Sequence, residues 1–575
     1  MKTFLVCLLL GAAISGVYYN ALSGEFVFDD YLLIVNRSIF PQIAENPWLA
    51  LSPAVLGYRP FRTLSYLLDY RLGGMNPWFF HLSNILYHWL TACLVFLVTI
   101  RLTRDIERSA AEESPTGREA RCWRIALFVA FIWAIHPVQT DSVSYISGRR
   151  DIIGGLCLFL AFWGYLRFRA APPVGSWRFG WLALSCLVYG LGILSKESVL
   201  VLPALCWFYD ALREGVWMSL RRRWALYFIV LLGGFAVLWW FAGAWIEQLV
   251  FKFDWYGGSV IGNFATVTRI WLHYLSLMVY PITLSADYSY NAFPVSQSFL
   301  EPEVFLALAI IVSMGAAAWA LSRWRSLIGY GAFWLLIAIL PVSHLIPIKE
   351  IMAEHYLYVP LFGFALICGI LFDAACGTIV GGGLWRGRAL VVYGLAVVLL
   401  ILAGARVVIR NRDWADEETL WTVTAQTMPR CARAHYNLAG VHLRQKRIGD
   451  AQREFTTVLA ILPNHMNALV GLGEIAFEQK QYGQAFGYAN QAVLINPHNF
   501  RVQYLLGWTY LAFKKLDEAE IYFRQAMKLR PRYLPIYTGL ETVAKERGDA
   551  EMAARWAEKR HSLSQKRSPD SPSWD

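Results

Sequence analysis

The stretch FFHLSNILYHWLTACLVFLVTI occupies residues 79–100 and contains no Lys, Arg, Asp or Glu. A helix needs about 20 mostly apolar residues to cross the hydrocarbon core of a bilayer. This segment has that length and composition, and similar runs recur before and after it. We therefore expect a membrane domain built from transmembrane helices.

The composition of the whole chain agrees with this expectation. Its 575 residues are 57% hydrophobic and only 16% charged, whereas a soluble chain is typically about 45–50% apolar and about 25% charged. This excludes a soluble enzyme, a disordered protein and a disulfide scaffold. The long apolar runs lie within 1–410, and 411–575 resembles a soluble sequence. Most of the nine cysteines lie in apolar runs and none form a CxxC pair, so neither a disulfide framework nor a zinc site is indicated.

Apolar periodicity and length predict eleven crossings. They lie at 3–22, 79–100, 125–135, 152–166, 179–194, 199–212, 224–246, 304–321, 327–346, 358–375 and 389–405. We expect the first to be an uncleaved signal anchor. The formal net charge of +11 comes mainly from connectors at 101–124, 167–178, 213–223, 323–325 and 386–388. Such connectors are typical of cytoplasmic loops and not of nucleic-acid binding. Because the connectors at 213–223 and 323–325 are both expected in the cytoplasm, the chain must cross the membrane an even number of times between them. The spans at 224–246 and 304–321 supply two crossings, so 269–284 is expected to be an interfacial or re-entrant helix on the outer side. The N-terminus then lies inside and the C-terminal domain outside.

The soluble part carries a 34-residue repeat. Pro429, Pro463, Pro497 and Pro531 recur at that interval, and small or apolar residues recur at fixed offsets, including Ala451, Ala485, Ala519, Leu438, Leu472 and Leu506. This is the period of the tetratricopeptide repeat, in which stacked helix pairs form a concave groove. We predict a membrane domain at 1–410, a linker at 411–431, about four repeats at 432–560 and a disordered tail at 561–575. A generic helical bundle is the alternative.

The outward loops carry the candidate catalytic groups. Asp29 and Asp30 follow the first span directly and are framed by aromatic residues. Desolvation there can raise the pKa of a carboxylate toward that of a general base. The alternative is a solvated loop or a helix cap. Adjacent carboxylates can also point apart, so the sequence leaves assistance by a divalent cation open and predicts no metal site.

Polar groups at membrane depth are costly, so those of the later loops are expected to line one cavity. The cations Arg59, Arg149 and Lys196 are candidates for binding a phosphate leaving group. The auxiliary candidates are His81, His136, Asp151, Glu197, Glu354 and His355. Structural ion pairs that brace the loops are the alternative. No Walker loop, GxGxxG or zinc motif is present, so a nucleotide-driven pump is excluded.

The order of these motifs resembles a known family. The series runs from Phe28-Asp29-Asp30 and Tyr58-Arg59-Pro60 through Asn76-Pro77, His81, Asn84, His88, His136-Pro137 and Gly148-Arg149-x-Asp151 to Ser195-Lys196-Glu197-Ser198 and Glu354-His355-Tyr356-Leu357-Tyr358-x-Pro360. It resembles the transmembrane and tetratricopeptide-repeat protein O-mannosyltransferases, the TMTC proteins, over nearly the whole chain. The resemblance implies an all-α GT-C glycosyltransferase fold, a lipid-linked sugar donor, and Asp29 and Asp30 at the catalytic centre. The family usually has Arg where this chain has His355, so Arg149 or Lys196 is expected to carry more of the phosphate binding.

The sequence thus predicts a bacterial inner-membrane glycosyltransferase with its repeats in the periplasm. It would transfer mannose or another hexose from a polyprenyl-phosphate donor to a Ser/Thr hydroxyl of an exported protein recruited by the repeat groove. No cofactor and no nucleic-acid partner is expected. Two alternatives stay open: a non-catalytic membrane-anchored scaffold, and the same enzyme class acting on a lipid or polysaccharide.

Overall fold

The computed structural model describes residues 1–36, 39–46, 48–49, 57, 59–106, 115–172, 176–250, 255–289, 292–323, 326–344, 347, 350–376 and 384–565. Across these ranges every regular element is a helix and none is a strand. The predicted all-α class is therefore confirmed. The chain divides into two units, the first formed mainly by residues 1–420 and the second mainly by residues 421–575.

The first unit is helical, and its helices range from 4 to 35 residues in length. The helices are α1 (Lys2–Tyr18), α2 (Ile39–Glu45), α3 (Pro60–Gly73), α4 (Pro77–Ile106), α5 (Pro115–Ala134), α6 (Thr140–Val143), α7 (Arg149–Ala170), α8 (Ser176–Ile193), α9 (Leu202–Glu214), α10 (Val216–Val250), α11 (Val260–Val279), α12 (Pro302–Ser322), α13 (Ser326–Ile339), α14 (Leu361–Cys376) and α15 (Leu384–Asn411). Single turns at Tyr19–Ser23, Tyr31–Val35, Glu197–Val201 and Glu354–Leu357 connect some of them.

Six helices of the described residues are long and apolar enough to cross a membrane, or up to seven if the pair Pro115–Ala134 and Pro137–Val143, bent by 48°, counts as one span. This is fewer than the eleven crossings predicted. Three predicted spans fall on shorter apolar helices, Trp177–Ile193, Ser326–Val342 and Leu361–Cys376. The span predicted at 199–212 falls on α9, whose 13 residues extend about 20 Å against a hydrocarbon core of about 30 Å.

Two further helices have features of the membrane boundary. The interfacial segment predicted at 269–284 falls on α11, which ends at Val279 just before Tyr280-Pro281. On α3, Leu64, Leu68 and Leu72 are exposed, while Arg62, Thr63, Ser65 and Asp69 are buried. A helix that turns its apolar face outward and its polar face into the protein suits the surface of a bilayer.

An aromatic core holds the segment before α14 in place. Trp133 of α5 and Trp334 of α13 are fully buried. Their indole N–H groups donate to the carbonyls of Tyr358 at 3.2 Å and Val359 at 3.0 Å. Buried indoles need such partners, so these two hydrogen bonds fix the turn Glu354–Leu357 against the helix bundle.

Buried carboxylates and arginines gather at one end of the helices. Asp105 of α4 pairs with Arg101 and Arg213, Asp210 of α9 with Arg169 and Arg223, and Asp373 of α14 with Arg121 and Arg124. These residues belong to or border the arginine-rich connectors of the sequence. The outward-loop candidates lie at the opposite ends of α5, α7 and α14.

The second unit consists of stacked helix pairs. After α16 (Glu417–Thr427), which falls in the predicted linker, come α17 (Ala432–Arg444), α18 (Ile448–Ile461), α19 (Met466–Glu478), α20 (Tyr482–Ile495), α21 (Phe500–Ala512), α22 (Leu516–Leu529), α23 (Leu534–Glu546) and α24 (Ala550–Gln565). The predicted repeat domain is thus four helix pairs. The disordered tail predicted at 561–575 is wrong for 561–565, which continue α24 to Gln565, and the rest of it lies outside the described residues.

The 34-residue period is visible in the backbone of the repeats. Lys446, Lys480 and Lys514 follow the first helix of successive pairs with φ of 60°, 62° and 59°, and Gly548 takes the same place with φ of 79°. Such left-handed residues end helices by satisfying the last carbonyl groups. The alanines at the repeated positions 451, 485 and 519 are fully buried, as expected where two helices cross closely.

Candidate active site

The segment from Phe26 to Ile34, after the first predicted span, is packed against the protein rather than solvated. Phe26 and Ile34, on either side of the Asp pair, join a buried apolar cluster with Tyr66 of α3 and Phe80 of α4. Phe28 precedes the pair with φ of 54°, a conformation that costs a bulky residue free energy and is found chiefly at functional sites. The local fold therefore holds Asp29 and Asp30 in defined and different positions.

Asp30 faces the interior and is fully buried. Its Oδ2 accepts a hydrogen bond from the Val27 N–H at 3.0 Å, and its Oδ1 accepts from the N–H and hydroxyl of Ser147 at 2.9 and 2.5 Å. Burial raises the pKa of Asp30 to about 7, although these hydrogen bonds oppose the shift. Asp30 thereby ties the first outward loop to the second.

Asp29 points elsewhere and is partly exposed. Its backbone N–H donates to the Tyr145 hydroxyl at 3.2 Å. The Tyr145 ring is stacked between Phe28 and Trp414, at centroid distances of 6.0 and 5.0 Å. Burial raises the pKa of Tyr145 well above its usual value, the charges of Asp29 and Asp30 raise it further, and Arg150 opposes them. Asp29 is thus a partly exposed carboxylate within electrostatic range of Arg150.

Arg149, a predicted phosphate ligand, is fully occupied by protein groups. Its guanidinium is fully buried, is ion-paired with Asp69, and donates to Asn84 Oδ1 at 2.7 Å and to the Phe80 carbonyl at 2.6 Å. It also lies over the Tyr66 ring at 4.8 Å. These contacts join α3, α4 and α7. We attribute a structural role to Arg149, and its part in phosphate binding stays a prediction.

Arg150, the next residue, is oriented differently. Its side chain is 12% exposed, and its Nε lies 3.4 Å from Asp151 Oδ2. Its Nη2 lies 3.1 Å from His355 Nε2. Arg150 is not distinguished by the sequence alone, because two consecutive arginines cannot be told apart before the first turn of α7 is placed. The helical turn sends one guanidinium inward and the other toward the loop cluster.

Lys196 and Asp151 form the centre of this cluster. Lys196 Nζ lies 3.0 Å from Asp151 Oδ1, and both side chains are about 95% buried. The ammonium group also lies 5.1 Å from the centre of the Tyr356 ring, in cation–π range. Gly154, one turn along α7 from Asp151, permits this approach, because a Cβ there would lie 2.8 Å from Lys196 Cβ.

Arg59 and Glu197 form the adjoining ion pair. Arg59 Nη2 donates to both carboxylate oxygens of Glu197, at 3.0 and 3.2 Å. Burial alone would raise the pKa of Glu197, but the charges of Arg59, Lys196 and Arg150 outweigh it and lower the pKa to about 2. Three cations therefore surround Glu197, which remains ionised.

His355 is held in one tautomer by its neighbours. Asp141 Oδ2 accepts from the His355 backbone N–H at 2.8 Å and lies 2.9 Å from His355 Nδ1. Because a guanidinium only donates, the contact with Arg150 requires a lone pair on His355 Nε2. We therefore assign the proton to Nδ1, where it is donated to Asp141. Asp141 lies in the second outward loop, but its spacing from His355 in the chain gave no signal of this pairing.

The remaining predicted residues have other partners. His136 Nε2 donates to the Met278 carbonyl at 2.9 Å, and Nδ1 accepts from the Val138 N–H. Glu354 is buried and accepts from the Ser285 N–H at 2.5 Å and from Tyr288 Oη at 2.6 Å. Burial raises the pKa of Glu354, while the nearby Arg410 opposes the shift. His81 is buried beneath Gly24, whose substitution by alanine would place a Cβ 3.1 Å from His81 Nε2.

The structure thus brings Arg59, Asp151, Lys196, Glu197 and His355 into one cluster and adds Arg150 and Asp141. Asp29 lies near this cluster, because its backbone N–H donates to the Tyr145 hydroxyl and its charge acts on Arg150. A partly exposed carboxylate can accept a proton, and a group of arginine and lysine side chains can stabilise a developing phosphate charge. No group of three or more His, Cys, Asp or Glu among the described residues is arranged to hold a metal ion.

Fold and site together define a multi-pass helical membrane protein with a tetratricopeptide-repeat domain. Residues 466–532 match the family model described as tetratricopeptide repeat. The membrane helices, the outward polar cluster and the repeats lie in one chain.

The similarity to known proteins extends further. The chain is 24% identical to the protein O-mannosyl-transferase TMTC1 of Mus musculus over 75% of its own length and 55% of that protein. It is 26% identical to TMTC4 of Homo sapiens over 76% of its own length and 64% of that protein. The resemblance stated from the sequence motifs is therefore confirmed. The chain spans less than two thirds of the length of these relatives.

The chain is also similar to parts of solved structures. The MamA RS-1 ArsTM double mutant covers 26% of this chain and 84% of its own length, with 22% identity and a TM-score of 0.24.

Proposed function

We propose that the protein is a membrane glycosyltransferase that moves mannose or another hexose from a polyprenyl-phosphate donor to a Ser/Thr hydroxyl of an exported protein. The observation that carries the proposal is the partly exposed Asp29 carboxylate within electrostatic range of Arg150, whose guanidinium adjoins the Lys196–Asp151 ion pair. The relatives named as protein O-mannosyl-transferases support the same reaction class.

Asp29 is the proposed general base, and Asp30 holds the loop that presents it. The acceptor hydroxyl gives its proton to Asp29, and its oxygen forms a bond to the anomeric carbon of the donor. The bond from that carbon to the phosphate oxygen breaks, and polyprenyl phosphate leaves with the electron pair. Attack from the side opposite the phosphate inverts the anomeric configuration. Asp29 suits this role better than Asp30, whose oxygens already accept three hydrogen bonds.

Arg150 is the proposed first ligand of the donor phosphate. Its carboxylate partner Asp151 lies at 3.4 Å and is shared with Lys196 at 3.0 Å. Its other partner, His355, is uncharged in the tautomer assigned above. A phosphate oxygen can therefore replace these contacts at less cost than it can separate Arg149 from Asp69. Lys196 and Arg59, which act on Glu197 together with Arg150, add positive charge to the cluster.

His355 and Asp141 are proposed positioning residues for Arg150. The two contacts from Asp141 fix the ring of His355, and Nε2 then fixes one Nη of Arg150. This explains how the chain functions with a histidine where its family usually has an arginine. The positive charge is carried by Arg150, and His355 fixes the orientation of its guanidinium group.

The site and the repeats are proposed to lie on the outer side of a bacterial inner membrane, with the N-terminus in the cytoplasm. The arginines paired with Asp105, Asp210 and Asp373 occupy the helix ends opposite the site. Positive charge near helix ends marks the cytoplasmic side. Trp414, which follows the last span, stacks on Tyr145 at the site end, so the chain emerges there toward the repeats.

The repeats are proposed to recruit the protein acceptor. A cavity of about 450 Å³ in the last repeats is lined by Tyr504, Trp508, Leu534, Pro535, Thr538, Ala557, Arg560, His561 and Ser564. Aromatic and basic side chains of this kind are frequent in protein-binding surfaces.

The deciding experiment compares Asp29→Asn with Glu25→Gln in purified protein supplied with a polyprenyl-phosphate hexose and a Ser/Thr-containing protein. Loss of a general base typically costs about 10²–10⁴-fold in rate, so Asp29→Asn should lose transfer by that factor. Glu25 is exposed in the same loop, and Glu25→Gln should retain activity. Wild-type turnover by Asp29→Asn would refute the proposed centre. Absence of any transfer by wild type would favour the scaffold, and sugar appearing on lipid or polysaccharide would redirect the acceptor.

A further inference from the structure

A second binding feature lies among the spans at the arginine-rich end. A groove of about 920 Å³ runs between α5, α14 and α15, beside the start of α1. Its lining combines charged, aromatic and aliphatic side chains, among them Lys2, Glu119, Trp123, Phe128, Tyr393 and Val397. Its volume is at the upper end of the range of small-molecule sites, about 300–1,000 Å³.

The groove is apolar along most of its length and polar at its mouth, which lies near Lys2 and Pro115. Leu127, Phe128 and Phe131 of α5 follow one another along its wall, and Phe128 stacks on Phe372 at 4.3 Å. Val397, on the α15 side, is 53% exposed. Trp123 and Tyr393 lie near the mouth, where amphipathic rings are typical of the membrane–water boundary.

The charge at the mouth is positive. Glu119 is ion-paired with Arg104 and accepts from the Trp123 indole N–H at 2.7 Å. Asp373 is shared by Arg121 and Arg124. Lys2 lies at the mouth in addition, so the charged residues described as lining the groove are the cations Lys2 and Arg124 and the carboxylate Glu119.

We propose that this groove binds one anionic phospholipid of the surrounding bilayer. Its acyl chains fill the apolar length, and its phosphate lies at the mouth near Lys2. An apolar groove that opens between membrane spans is in contact with lipid, and basic pockets between transmembrane helices favour anionic headgroups. The excess of positive charge at the mouth selects an anionic lipid over a zwitterionic one.

This site is separate from the proposed active site. Both involve the α5 region, but the groove mouth lies near the start of α5 at Pro115, and the candidate loops follow its end at Ala134. An α-helix rises about 1.5 Å per residue, so the 20 residues of α5 place these ends about 30 Å apart. None of the proposed catalytic residues lines the groove.

The test measures lipid binding to the full-length protein after delipidation in detergent. Phosphatidylglycerol and phosphatidylcholine are titrated separately, and bound lipid is counted by native mass spectrometry. Wild type should bind one phosphatidylglycerol preferentially. Lys2→Gln should weaken that binding about fivefold, the usual worth of one basic residue near an anionic membrane surface. Arg221→Gln, an exposed charge outside the groove, should leave it unchanged.

A steric pair tests the groove itself. Val397→Trp places an indole in the groove and should abolish the bound phosphatidylglycerol. Val398→Trp is the matched control, because Val398 is 51% exposed but does not line the groove. Equal binding of the two lipids by wild type would overturn the proposal. So would undiminished phosphatidylglycerol binding by Val397→Trp or, should that variant not fold, by Lys2→Gln.

Discussion

Arg149 and Arg150 are adjacent in the chain, yet their guanidinium groups meet opposite environments. The first is fully buried against Asp69, and the second is held by His355 and, more loosely, by Asp151. Removing one partner of a buried ion pair costs about 3–5 kcal/mol. Arg149→Met should therefore lower the melting temperature strongly, while Arg150→Met should melt near wild type but raise the KM for the lipid-linked donor.

Two measurements separate these outcomes, thermal unfolding in detergent and transfer kinetics at varied donor concentration. The two substitutions are chemically identical, so each serves as the control for the other. Equal loss of stability in both variants would contradict the distinction between a structural and a substrate-facing arginine.

The carboxyl group of Asp30 is expected to make the free energy of unfolding depend on pH. Its pKa in the folded protein is raised to about 7, against about 4 in an unfolded chain. Between these values the folded state binds a proton that the unfolded state has released, so this group makes the free energy of unfolding fall as pH rises from about 4 to about 7. Asp30→Asn should remove this contribution and flatten the dependence of melting temperature on pH.

Melting temperatures measured from pH 4 to pH 8 check this directly. Glu25→Gln is the matched control, because it removes an exposed carboxylate of the same loop and should retain the slope of wild type. Identical slopes for Asp30→Asn and wild type would show that Asp30 titrates normally.

At the scale of helices, close approach of α7 to the loop before α9 decides where Lys196 lies. Gly154→Ala would put a Cβ 2.8 Å from Lys196 Cβ, so the loop must shift. We expect a lower kcat/KM for the donor even though alanine favours the helix by about 1 kcal/mol over glycine.

The control for this prediction is Gly190→Ala on α8, where a new Cβ meets nothing within 4 Å. It gains the same helix propensity without displacing a neighbour, so its kcat/KM should equal that of wild type. Unchanged donor kinetics in Gly154→Ala would mean that Lys196 tolerates the shift and contributes little to phosphate binding.

For the whole molecule, the orientation in the membrane is the main expectation. The site and the end of α15 lie opposite the paired arginines, so the repeats should be outside. Alkaline phosphatase fused after Asp575 and expressed in a bacterial host should be active, and a fusion after Arg222 should be inactive. Immunoblots of the two fusions control for expression. An inactive fusion after Asp575 would contradict the expectation that α11 lies at the interface without crossing the membrane.

Much of the architecture followed from the sequence, because the relevant signals are local. Apolar run length predicted the membrane domain, and the period of 34 from Pro429 to Pro531 predicted four helix pairs in the order observed. Span number was less predictable. A run such as 199–212 is apolar enough for a span, but only the folded chain shows that α9 has 13 residues and packs among other helices.

The residue types of the candidate site were also readable, since charged groups beside membrane spans are rare without a role. Their individual tasks were not, because these depend on which way each side chain points. The helical phase of α7 separates Arg149 from Arg150, and the left-handed Phe28 separates Asp29 from Asp30. Asp141 and His355 are joined across 214 positions. Such pairings arise only when distant loops meet at one end of the helix bundle, and tertiary structure alone decides them.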